Sequence, residues 1–201
     1  MEHDYEPVRG LPGPLPEGEH IIWQGAPDAH VFARRGMHLR WITAYFAALA
    51  IYNLAQGSMF GIVATLVAAA GCIGFLYLFA LGVARTSVYT LTNKRIVLRV
   101  GVALSACVNV PLKSMASANL RTLSGGHGDI AVSLESGRIA WFFLWPHVRP
   151  WRLKSPEPML RAVPDAQSVA MLLATARAAI GPVPVAVDEP SQSGLVLGVA
   201  A

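Results

Sequence analysis

The chain has 201 residues, of which 54% are hydrophobic and only 14% charged, and its mean hydropathy is +0.46. Globular domains carry about 25% charged residues, so this composition points to a membrane protein. It excludes intrinsic disorder, which needs low hydrophobicity and high net charge. The 18 glycines and 14 prolines follow no repeat, and Cys72 and Cys107 form no CxxC pair. Collagen, solenoid, disulfide-scaffold and structural-zinc readings are therefore set aside.

The net charge of +4 is unevenly spread. Residues 1–30 hold six acids against Arg9 alone, residues 31–40 add Arg34, Arg35 and Arg40, and residues 85–177 hold twelve basic residues and four acids. Residues 1–36 read as an arm, with a Pro- and Gly-rich stretch at 7–18 and a short extended run at 20–24 (HIIWQ) available to a later sheet.

Between Arg40 and Arg85 lie 44 residues without Asp, Glu, Lys or Arg. One crossing of a bilayer takes about 20 apolar residues, so the segment 37–84 reads as a transmembrane hairpin with helices at 39–55 and 59–81. The polar residues Asn53, Gln56, Gly57 and Ser58 mark its turn. Trp41, Tyr45, Tyr77 and Tyr89 fall near one interface or just beyond it, and Tyr52 near the other. Ala64 with Ala68, and Ala70 with Gly74, have the spacing of close helix contacts, though alanine is abundant throughout the chain. The turn has no Lys or Arg whereas both outer ends do, so both termini are expected in the cytoplasm of a multi-pass inner-membrane protein. Both cysteines are then reduced thiols.

After Arg85 the period changes to two. In 94–100, Ile96, Leu98 and Val100 alternate with Arg95, Val97 and Arg99; in 129–135, Ile130, Val132 and Leu134 alternate with Ala131, Ser133 and Glu135. Such alternation marks half-buried antiparallel strands. Further strands are expected at 87–91, 103–112, 118–123, 139–145 and 159–163. A helix at 165–180, with Asp165 as N-cap, presents Val169, Leu172, Leu173, Ala176 and Ile180 on one face and ends at Gly181-Pro182. The fold class expected is an α+β membrane protein: a two-helix anchor and, over 85–181, a small antiparallel barrel closed by a helix. Residues 182–201 read as a loose tail.

No catalytic constellation stands out. The six histidines have no metal-ligand spacing, and the run Gly125-Gly126-His127-Gly128 lacks the lysine and hydroxyl of a phosphate loop and reads as a hairpin. The chain is thus expected not to be an enzyme, and to carry no metal or cofactor. His38 sits just before the first span, where it is either an interfacial histidine or a pigment ligand. The distinctive segment is 141–152 (WFFLWPHVRPWR). Trp141, Trp145, Arg149, Trp151, Arg152 and Lys154 form either a surface that touches a partner or headgroups, or a filled core with solvated charges. Basic residues beside a bilayer attract anionic lipid in both cases, and no nucleic-acid motif accompanies them.

Residues 89–101 (YTLTNKRIVLRVG) with Val110-Pro111-Leu112, preceded by Gly18-Glu19 and Trp23-Gln24-Gly25-Ala26-Pro27, resemble bacterial pleckstrin-homology-like domains that follow paired membrane helices. Residues 5–12 (YEPVRGLP), 14–19 (PLPEGE) and 149–164 (RPWRLKSPEPMLRAVP) resemble the PuhB family of photosynthetic complex assembly proteins of purple bacteria. The second resemblance implies an inner-membrane factor for assembly of the reaction centre and core light-harvesting complex, with their subunits as partners. The alternative is a membrane-anchored lipid-binding or adaptor module with no photosynthetic client. Oligomeric state stays open, a homo-oligomer included.

Overall fold

The computed structural model describes residues 10–102, 106–135, 144–150 and 156–181. Apolar stretches with helical composition form α2 (Leu39–Ala55) and α3 (Met59–Thr86), which pack side by side. Ahead of them stand β1 (Ile21–Gly25), a short turn α1 (Ala29–Val31) and a π-helical turn, Phe32–Gly36. The remainder is β2 (Val88–Thr92), β3 (Arg95–Val100), β4 (Ala106–Pro111), β5 (Met115–Thr122), β6 (Gly128–Leu134), β7 (Met159–Val163) and the closing helix α4 (Ala166–Ala178).

α3 is long and apolar enough to cross a membrane, and it runs five residues past the expected end at Leu81. Its apolar side chains are exposed almost all round: Phe60, Val63, Leu66, Val67, Phe75 and Leu78 are each more than half exposed, and only Thr65, Ala80 and Val83 are buried. A helix apolar on every side calls for an apolar surrounding. α2 has 17 residues, none of them buried, which gives about 26 Å at 1.5 Å per residue. That is shorter than the bilayer core of about 30 Å.

The turn between the helices is held by its polar residues. Asn53 Nδ2 donates to Leu49 O (2.9 Å) and to Thr65 Oγ1 (3.2 Å), while Ser58 Oγ accepts from the Gly61 N–H (3.1 Å) and caps α3. Ala64, Ala68 and Ala70 are exposed, so the contact with α2 is not built on the small-residue spacing. Thr65 is the buried residue there.

The strands form two antiparallel sheets, ordered β1-β2-β3-β4 and β5-β6-β7. This corrects the single closed barrel. β4 passes into β5 through the tight turn Leu112–Ser114 without pairing, and among the described residues no strand pairing joins the sheets. They face each other across Tyr89, Leu91, Ile96, Leu98, Ile130 and Val132, and α4 closes the core with Val169, Leu173 and Ala176. Leu172 is 38% exposed and lies off that face. Val97, expected on a wet face, is fully buried: it pairs with Thr90, on the side of β2 where Gly10 of the arm lies against Val88.

The extended run in the arm joins the sheet as β1, Gln24 opposite Thr90 and Gly25 opposite Tyr89. The expected strand at 139–145 falls mainly outside the described residues, and its end, Leu144-Trp145, enters a tight turn closed by the His147 N–H on Leu144 O. Asp165 precedes α4 but has a left-handed backbone (φ 47°) and makes no capping bond; a capping side chain needs extended backbone. The segments 1–9 and 182–201 lie outside the described residues.

Gly128 is where β6 passes closest to its neighbours. A Cβ there would stand 2.6 Å from Ala166 Cβ and 2.9 Å from the Arg121 carbonyl oxygen, and a backbone atom cannot swing aside. Gly128→Ala is expected to destabilise the protein by about 1–3 kcal/mol, read as a lower denaturation midpoint in detergent. An unchanged midpoint would contradict this packing.

Candidate functional site

α3 ends at Thr86 and β2 begins at Val88, so Ser87 alone separates the apolar helix from the sheet. Around this junction a small core forms from Phe32 and Ala33 of the π-turn, Ala80 and Val83 of α3, and Ala162 of β7. Ala162 has a left-handed backbone (φ 49°). Two bonds hold it there: its N–H donates to Asp129 Oδ1 (2.9 Å), and its carbonyl accepts from the Asp28 N–H (2.9 Å).

A buried polar chain lies beside this core. His147 is fully buried, with Nδ1 2.7 Å from Tyr89 Oη and Nε2 3.1 Å from Ser87 Oγ. Tyr89 Oη also accepts from the Arg161 N–H (3.3 Å). The tyrosine proton is then directed at Nδ1, which makes His147 a neutral ring protonated at Nε2 and donating to Ser87. Arg161 Nη1 donates to Pro146 O (3.0 Å), and its guanidinium lies 5.4 Å from the Phe32 ring centre. Burial, and next the Arg161 charge, push the His147 pKa down to about 3. Burial raises that of Tyr89 and lowers that of Arg161.

Trp145 is half exposed, and its ring centre lies 5.5 Å from that of Phe79 on α3. It therefore sits against the cytoplasm-proximal end expected for that helix. Arg149 is committed within the chain: Nη1 donates to Glu157 Oε2 (2.9 Å), a buried carboxylate that also accepts from Ser133 Oγ through Oε1 (3.0 Å). Trp141, Trp151, Arg152 and Lys154 lie outside the described residues. Tyr89, expected near one interface or just beyond it, is part of the buried chain.

His38 opens α2 with a left-handed backbone (φ 54°). It lines a cavity of about 470 Å³ together with Arg34, Arg35, Arg40, Trp41 and Arg121. The sequence shows Arg34, Arg35 and Arg40 near the helix, but not Arg121, which arrives on β5. Arginines at four of the lining positions suit an anion, which accepts their N–H bonds.

The arm is locked to the first sheet at the β2–β3 turn. Glu19 accepts from Arg95 Nε (2.8 Å), Arg95 Nη2 (3.2 Å) and Thr92 Oγ1 (2.8 Å), while Asn93 Nδ2 donates to Gly18 O (2.9 Å) and Asn93 Oδ1 accepts from the His20 N–H (3.1 Å). Burial raises the Glu19 pKa, but these hydrogen bonds and the Arg95 charge outweigh it and hold the carboxyl below its ordinary value.

The sequence profile of the family described as bacterial PH domain matches residues 39–177. The chain belongs to the bacterial PH domain family. The match starts at the first residue of α2 and ends one residue before the end of α4, so it takes in the helix pair and β2 to β7, while β1 lies ahead of it. A protein of Rhodobacter capsulatus, named as an uncharacterized 23.7 kDa protein in the puhA 5′ region, is 36% identical over 99% of this chain and 98% of its own length. A crystal structure of a DUF1696 family protein with a pleckstrin-homology domain from Shewanella loihica is 16% identical. The likeness covers 45% of this chain and 70% of that one, with a TM-score of 0.31.

His147 gives the junction a pH dependence. Unfolded, the ring takes up a proton near its ordinary 6.5; folded, only near 3. The unfolded chain binds more protons between those values, so stability is full above about 6.5 and falls as the pH drops. The loss is expected at roughly 1.4 kcal/mol for each pH unit below about 6. His147→Gln should flatten the dependence of the melting temperature between pH 7.5 and 5, and an identical slope in both proteins would contradict the buried neutral ring.

Proposed function

We propose that this chain is an inner-membrane assembly factor for the photosynthetic reaction centre and core light-harvesting complex, acting by contact rather than by catalysis. In this reading α2 and α3 both cross the membrane, both termini are cytoplasmic, and the sheets stand at the cytoplasmic boundary. Client subunits are held beside the exposed apolar sides of the helices. Trp145, packed on Phe79, extends that contact to the membrane surface.

The observation that carries this reading is the relative from the puhA 5′ region, which is similar to this chain over nearly the whole of both. Its location agrees with the resemblance of the Pro-rich segments to photosynthetic assembly proteins. The family assignment fits an adaptor module, and the side chains gathered at the junction hold helix and sheet together. A second reading, a membrane-anchored lipid-binding adaptor without a photosynthetic client, is favoured by the arginine-lined cavity at the start of α2.

The test is the near-infrared absorption of membranes from a strain lacking the chain, with complementation and a total bacteriochlorophyll assay. Core-complex bands should be lost while pigment synthesis continues, and be restored by the gene in trans. An unchanged spectrum would remove the assembly role and leave the adaptor.

A further inference from the structure

A second depression, of about 510 Å³, adjoins the arginine-lined cavity on α2; it is bounded by His30, Leu39, Thr43 and Ala47, and the two share Arg34, Arg40 and Ala44. The Thr43 hydroxyl donates to the Leu39 carbonyl (2.9 Å), so its polar group is satisfied within the helix. A basic chamber and a mainly apolar groove thus lie side by side along one helix.

We propose that this chamber and groove hold one anionic phospholipid, its phosphate among Arg34, Arg35, Arg40 and Arg121 and one acyl chain along Leu39, Thr43, Ala44 and Ala47. The inference rests on the reading that α2 lies in the bilayer.

Among the described residues no carboxylate forms an ion pair with Arg34, Arg35 or Arg40. Arg121 stands across from Asp129 in the β5–β6 register, but the Asp129 carboxylate is buried and accepts from the Ala162 N–H. Arginine side chains offer N–H donors in a planar fork that matches a phosphate, so four of them around one cavity suit that group. A free phosphate offers the same charge. The apolar groove favours the lipid, because only a ligand with a hydrocarbon chain fills both compartments. Trp41 lines the chamber and is 77% exposed, at the depth where indoles meet headgroups.

Trp41 is also the reporter. The full chain would be reconstituted in vesicles of phosphatidylcholine with a minor fraction of phosphatidylglycerol, one of the two carrying brominated acyl chains. The Trp41 signal is the difference between the wild type and Trp41→Phe. Brominated phosphatidylglycerol should quench Trp41 several-fold more than an equal fraction of brominated phosphatidylcholine. Arg34→Gln or Arg40→Gln should weaken that preference roughly fivefold each, and millimolar inorganic phosphate should leave it intact. Equal quenching by both lipids would overturn the site while keeping α2 in the bilayer. Loss of the preference on adding phosphate would overturn the lipid in favour of a free anion. No quenching by either lipid would place α2 outside the bilayer and overturn both readings. The comparison of lipids on the wild type decides the matter even if an arginine variant fails to fold.

Discussion

The structure depends on how α3 meets β2. With Ser87 alone between them, helix and sheet have no linker in which to flex, and the sheets must take whatever angle the helix end imposes. That angle is fixed from three sides: by Phe32 and Ala33 of the π-turn, by Ala162 of β7, and by the Ser87–His147–Tyr89–Arg161 chain. Buried polar groups cost free energy unless they are paired. A hydrogen-bonded chain here specifies one arrangement where an apolar contact would tolerate several.

A platform held in this way suits a contact protein. The exposed surface of α3 and the half-exposed Trp145 are presented together because Phe79 and Trp145 pack ring to ring. The arginine-lined chamber lies at the start of α2, assembled from the juxtamembrane segment and from β5. Its parts come from chain segments some 80 residues apart, so the chamber exists only when the helices and the second sheet are docked. Anything bound in it favours the docked state.

Much of this was legible in the sequence. The apolar helices show themselves by the absence of charge from 44 residues, and the strands by alternation. Two parts of the PH-like resemblance, Gly18-Glu19 and the Thr92–Arg95 turn, turn out to be partners in one hydrogen-bonded cluster. Other features were hidden. His147 and Tyr89 are 58 positions apart, and no local pattern announces that they meet. Arg149 looked like part of a free basic patch, yet its partner Glu157 lies eight residues on and buried. The split into two sheets follows from which edges pair, and alternation within a strand carries no information about that. Asp165 shows the limit of residue type as a signal: the capping residue is present, but its backbone lies in the wrong region.

The central claim is that α2 and α3 cross the membrane as a pair, so that the sheets and the turn at Gln56 lie on opposite sides. Thiol accessibility tests it most directly. In a chain with Cys72→Ala and Gln56→Cys, intact spheroplasts would be treated with a membrane-impermeant maleimide. Gln56 and the native Cys107 are both exposed. The thiol at position 56 should react at once, and Cys107 only after the membrane is opened. Reaction of both thiols from the same side would contradict the paired crossing.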